Sequence, residues 1–133
     1  MGKPAAKQGD MITAVDIHIV MVPSPGGPVP TPLPHPFTGM LNGNLSTNVN
    51  IMGVPAATQG STAQNQPPHL PTPPGTVFQI PPTNQATIMM GSATVLINNK
   101  PAARLGDTVQ TCADPAPNMA GQLIANSTVL IGG

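Results

Sequence analysis

Lys100-Pro101-Ala102-Ala103-Arg104-Leu105-Gly106-Asp107 decides the reading of this chain, because two further copies precede it. Lys3-Pro4-Ala5-Ala6-Lys7-Gln8-Gly9-Asp10 keeps the pattern with Lys7 in place of arginine. Val54-Pro55-Ala56-Ala57-Thr58-Gln59-Gly60-Ser61 keeps Pro-Ala-Ala and the glycine. Segments recurring at intervals of about fifty residues are units that stack around a shared core, and three of them predict a pseudo-threefold object. In each copy Pro fixes φ, two Ala side chains let backbones approach closely at a crowded axis, and Gly permits a positive φ before the chain turns outward. Asp10 and Asp107, and Ser61 more weakly, are suited to accept hydrogen bonds from nearby backbone N–H groups and fix that turn.

Working outward, the strand signals are short, β-branched and bounded by Gly, Asn and Pro. Asn48-Val49-Asn50-Ile51-Met52 leads into the second copy and Thr94-Val95-Leu96-Ile97 into the third. Thr128-Val129-Leu130-Ile131 runs into Gly132-Gly133 with no motif behind it, whereas the first copy has no strand before it. The two read as halves of one unit, which places the termini side by side. Ile88-Met89-Met90 before Thr94–Ile97, and Leu123-Ile124 before Thr128–Ile131, are separated from those runs by small turn formers, a hairpin signal. No capped 3.6-residue period is present and prolines interrupt most windows, so helix is expected to be nearly absent. The predicted fold class is all-β: a small domain of three short β-hairpins around one axis, joined by Pro-rich loops. Two such stretches, Val22 to Phe37 and Gln66 to Pro82, carry His35 and His69 and read as stiff polyproline II walls of the domain rather than tethers.

The length of 133 residues fits a single domain, 1–133. With no Trp or Tyr, two Phe, 19 Pro and 14 Gly, the chain approaches disordered composition. Its low charge and concentrated apolar runs argue for order. Zero net charge with four basic residues excludes an electrostatic footprint for nucleic acid and a polybasic membrane patch. The apolar run after Lys7 is broken by Asp16 and His18 and stopped by Pro23, so neither a signal peptide nor a spanning helix is written there. Cys112 stands alone, which rules out an internal disulfide.

His18, His69 and Cys112 follow the three copies at eight, eight and five residues beyond Asp10, Ser61 and Asp107. With His35, which lies outside the repeat phase, they are all the histidines and the only cysteine. Four nitrogen and sulfur donors suit a closed tetrahedral site for Zn2+; iron and copper accept similar donors, and the lack of an evident open position favours structural zinc. In a domain this poor in aromatic core, such a staple contributes roughly 10 kcal/mol or more. Hydrolysis would need an open position and a general base. There is no Glu, no Gly-x-Ser-x-Gly and no phosphate loop, so the chain is not expected to be an enzyme.

The copy at Lys100–Asp107, the near copy at Lys3–Asp10 and the Thr-Val-x-Ile-x-x-Lys-Pro run resemble the PAAR-repeat family, and the resemblance extends over essentially the whole chain. It implies a β-rich cone with a metal near the apex, held by three histidines and one cysteine: here His18, His35, His69 and Cys112. It also implies a structural tip on the trimeric spike of a contractile injection system, of the type VI secretion or phage-tail-like kind. A pseudo-threefold monomer on a true threefold partner gives one tip per trimer. Transient contact with a target membrane follows, as do synthesis in the cytoplasm, incorporation in the particle, and delivery outside the cell or into the target. The first motif starts at Lys3 and the last strand ends near the C-terminus, so a bare tip without an effector extension is expected. The alternative function is an adaptor that docks effector cargo onto the spike.

Overall fold

A computed structural model describes residues 2–132; Met1 and Gly133 lie outside it. The described residues contain thirteen strands and no helix. These are β1 (Lys3–Pro4), β2 (Met11–Val22), β3 (Val29–Gly43), β4 (Asn50–Ile51), β5 (Val54–Pro55), β6 (Thr62–Asn65), β7 (Val77–Phe78), β8 (Gln85–Ile88), β9 (Leu96–Ile97), β10 (Lys100–Pro101), β11 (Thr108–Thr111), β12 (Asn118–Ile124) and β13 (Leu130–Ile131).

The three motif copies close a ring. Ala6 N–H donates to the Ala103 carbonyl at 2.9 Å, Ala103 N–H to Ala57 at 3.1 Å, and Ala57 N–H to Ala6 at 3.0 Å. This cycle of three bonds marks the pseudo-threefold axis, and only side chains as small as alanine let three backbones meet there. All six motif alanines are fully buried. Ala5, Ala56 and Ala102 face one apolar layer with Ile51, Ile97 and Ile131. Ala6, Ala57 and Ala103 face a second, larger layer with Ile12, Phe37, Leu41, Ile88, Val109 and Leu123. Each turn is then closed as the motif predicts: Asp10 accepts from Lys7 N–H at 3.0 Å, Ser61 Oγ from Thr58 N–H at 2.9 Å, and Asp107 from Arg104 N–H at 2.7 Å. Gly9, Gly60 and Gly106 follow at φ of +90°, +93° and +85°, a region where a side chain is strained.

On one side of the ring lie three two-residue ladders, β4–β5, β9–β10 and β13–β1. The last pairs Lys3 with Ile131, so the two ends of the described chain are neighbours, as the split motif predicts. On the other side three hairpins, β2–β3, β6–β8 and β11–β12, join in the order β12-β11-β8-β6-β3-β2. Pairing of β12 with β2 closes them into a barrel, and β7 adds to the far end of β2.

Two expectations are corrected here. The hairpin partners are not Ile88–Met90 with Thr94–Ile97, nor Leu123–Ile124 with Thr128–Ile131: Ile88 of β8 pairs with Val109 of β11 and Leu123–Ile124 with Met11–Ile12 of β2, while Leu96–Ile97 folds back onto Lys100–Pro101 and Leu130–Ile131 pairs with Lys3–Pro4. The hairpins are also unequal, since β2 and β3 span 12 and 15 residues. The stretch from Val29 to Phe37 is a paired β-strand rather than polyproline II. Its prolines fall at positions 30, 32, 34 and 36, all of one parity. Thr38, of the same parity, turns its N–H to Asn65 Oδ1 and its carbonyl to Gln66 N–H, away from β2. Proline therefore occupies only positions whose missing N–H the ladder with β2 never uses.

Candidate metal centre

Beyond Thr13, β2 outruns β12, and its alternation sends Asp16, His18 and Val20 inward while Val15 and Ile17 stay exposed. His35 on β3 is the direct cross-strand partner of Asp16. His69 lies in the segment after β6, where Asn84 Oδ1 accepts its backbone N–H at 2.8 Å. Cys112 directly follows β11. His18, His69 and Cys112 thus come one from each hairpin, and successive repeats deliver them to one place.

Cys112 Sγ lies 3.6 Å from His18 Nε2 and 3.5 Å from Asp16 Oδ2, and His69 Nε2 lies 3.2 Å from the same carboxylate oxygen. The donor atoms of Asp16, His18, His69 and Cys112 all fall within 4.8 Å of one another. On their far sides the rings are held: His18 Nδ1 is 3.1 Å from Asp114 Oδ2, and Asn65 Nδ2 is 3.1 Å from His69 Nδ1. The His35 ring joins the cluster, with centroids 5.4 Å from His18 and 5.7 Å from His69. Both of its nitrogens are engaged elsewhere, Nδ1 donating to the Leu33 carbonyl at 2.9 Å and Nε2 accepting from Thr72 N–H at 3.1 Å. Phe78 packs edge-on against His18 and covers the group.

Asp16 is fully buried, and sequence reasoning, which takes it only as a break in the apolar run after Lys7, misses it. The signal is Asp16-x-His18: on a strand, two residues apart means the same face. Its Oδ1 accepts from the Thr111 hydroxyl and, at 3.2 Å, from Asn118 Nδ2. Burial raises its pKa, but hydrogen bonds from His69, Thr111, Asn118 and Cys112 outweigh that and hold it below the usual carboxylate value. Burial, reinforced by the neighbouring His18 and His69 rings and opposed by the Leu33 carbonyl, lowers the pKa of His35. Burial and the adjacent Asp16 carboxylate push the Cys112 thiol up to about 11.

These donors fit a divalent zinc-like ion, with imidazole nitrogens, a sulfur and a carboxylate oxygen brought together at metal-site spacing. A cavity of about 320 Å³, lined by His18, Cys112 and Asp114 and by Pro81 and Pro82 opposite, gives an entry path.

The PAAR motif family matches residues 21–113 and, in a second match, residues 79–133. The chain belongs to the PAAR motif family. PAAR proteins are structural spike-tip components of secretion systems and are in general not enzymes. No curated protein matches the chain.

Proposed function

We propose that this PAAR chain is the rigid tip that caps the trimeric spike of a contractile injection system, one chain per trimer. The supporting observation is the closed ring of three motif copies. Each copy lends a similar edge and a two-residue ladder to the same side of the axis, which suits one contact per spike subunit. Met52, Leu96 and Leu130 are exposed there and supply apolar contact. The four cations, Lys3, Lys7, Lys100 and Arg104, belong to the first and third motif copies, and no Lys, Arg, Asp or Glu occurs between residues 17 and 99. The long hairpin therefore carries no fixed charge beyond His18, which favours transient passage through lipid. A structural Zn2+ would be held by His18, His69 and Cys112 with a fourth donor beside them, and would tie the three hairpins together. The tip would be made in the cytoplasm and delivered with the particle.

Native mass spectrometry of the chain mixed with its cognate spike tests this. One chain per trimer is expected. A three-to-three complex, or capture of cargo without the spike as an adaptor would give, refutes the cap.

A further inference from the structure

Resting on the spike-tip reading above, we propose that the corner between the second and third motif copies is a socket for one acidic side chain, an aspartate or glutamate of the spike subunit that faces it. The first argument is a vacancy. In the third copy Arg104 fills its corner, with Nη2 donating to Asp107 Oδ1 at 2.9 Å and Nη1 to the Gly132 carbonyl at 3.1 Å. In the first copy Lys7 Nζ donates to Asp10 Oδ1 at 2.8 Å and to the Asn126 carbonyl at 2.6 Å. The second copy has Thr58 and Ser61 at these two positions, so cation and carboxylate are both replaced by hydroxyls. Thr58 Oγ1 reaches only the neighbouring Gln59 carbonyl, at 3.3 Å. The walls are otherwise kept: Ser46 Oγ donates to Asn98 Oδ1 as Ser92 Oγ does to the Gly132 carbonyl. What remains is a cavity of about 200 Å³, several waters in volume, bordered by Thr58, Ser46, Thr47, Asn98 and Lys100.

The second argument is charge. The chain has four acidic side chains and all are engaged elsewhere: Asp10 with Lys7, Asp107 with Arg104, Asp16 with His69 and Asp114 with His18. Lys100 is exposed at the socket and has no carboxylate partner among the described residues. Its ammonium offers three donors and no acceptor, and Thr47 adds a hydroxyl to the same wall. The Asn98 amide, by contrast, is spent on Ser46 and Asn48. A lone cation beside a polar cavity attracts an anion and repels the kind of cation that fills the other two corners. Because Asn98 and Lys100 belong to the β9–β10 turn and ladder, the socket lies on the side of the ring where the three ladders stand. A threefold spike brings three identical carboxylates to that side. Only one finds room, since Lys7 and Arg104 occupy the other two corners.

The affinity of the full chain for its cognate spike trimer, read by biolayer interferometry over a series of salt concentrations, tests this. Lys100→Ala should weaken binding about tenfold or more and flatten the salt dependence. Lys3→Ala, on the strand beside the corner that Arg104 fills, should change it by less than about threefold. Thr58→Arg, which fills the socket from within, should weaken binding as much as Lys100→Ala. Circular dichroism checks its fold, and Lys100→Ala, at an exposed position, carries the test if that variant does not fold. Carbodiimide coupling of the wild-type complex should join Lys100 to a spike aspartate or glutamate. Variants that bind like the wild type, equal losses in Lys3→Ala and Lys100→Ala, or a Lys100 left uncoupled overturn the socket and leave the spike-tip reading standing. A wild-type chain that does not bind the spike overturns both.

Discussion

Metal affinity should climb with pH well past the point where an ordinary cysteine stops contributing. An unperturbed thiol ionises near 8.5, but burial and the Asp16 carboxylate push Cys112 up to about 11. The metal binds the thiolate, so each ion taken up displaces the Cys112 proton at any pH below 11. The sign follows directly: raising the pH removes a competing proton and tightens binding. Between pH 7 and 10 the association constant should rise about tenfold per unit. A thiol near 8.5 would level off, leaving a gap of about thirtyfold by pH 10. Competition against a chromophoric chelator of known pH dependence measures the slope. Calorimetry in buffers of different ionisation heat counts the proton released. Cys112→Ser should flatten the slope and weaken binding by more than about 100-fold. A plateau above pH 8.5 in the wild type, or an unchanged slope in the serine variant, would refute the reasoning.

Ala57→Leu puts a larger side chain where three backbones meet, so overpacking should cost at least about 1–3 kcal/mol and lower the melting temperature by about 3–10 °C. Because the chain lacks Trp and Tyr, far-UV circular dichroism is the readout. Ala120→Leu, on the exposed face of β12, is the control and should change little. Arg104 is buried and bonds both Asp107 and the Gly132 carbonyl. Arg104→Ala leaves that carboxylate unpaired and should destabilise by about 3 kcal/mol in chemical denaturation. Lys7→Ala, at a pair with a more exposed lysine, should cost less.

The repeat was legible because its chemistry is local: Pro, paired Ala, Gly and a capping carboxylate or hydroxyl each answer a demand made within eight residues. The pairing of β1 with β13 was legible for the same reason, as a motif cut in two. Hairpin partners were not, because Thr94–Ile97 and Thr128–Ile131 have strong β character but are spent on two-residue ladders, and only the closed barrel shows which runs pair over distance. Val29–Phe37 misled because proline density suggests polyproline II, and the parity that makes those prolines compatible with a strand matters only once β2 lies alongside. At the site, His18, His69 and Cys112 could be named from repeat spacing. Asp16 was hidden because its importance comes from burial and from His69 and Cys112, which lie 53 and 96 residues away in the chain.

The one-parity prolines have a consequence for crowding. Along the margin that faces away from β2, the register of β3 turns outward the carbonyls of Pro30, Pro32 and Pro36 with no N–H at those positions, while the Pro34 carbonyl accepts from the Thr72 hydroxyl. A stray extended segment arriving there finds acceptors and no donors, so it completes half a ladder at most. The longest ribbon of the molecule is thereby poor seed material for fibres, even at high protein concentration.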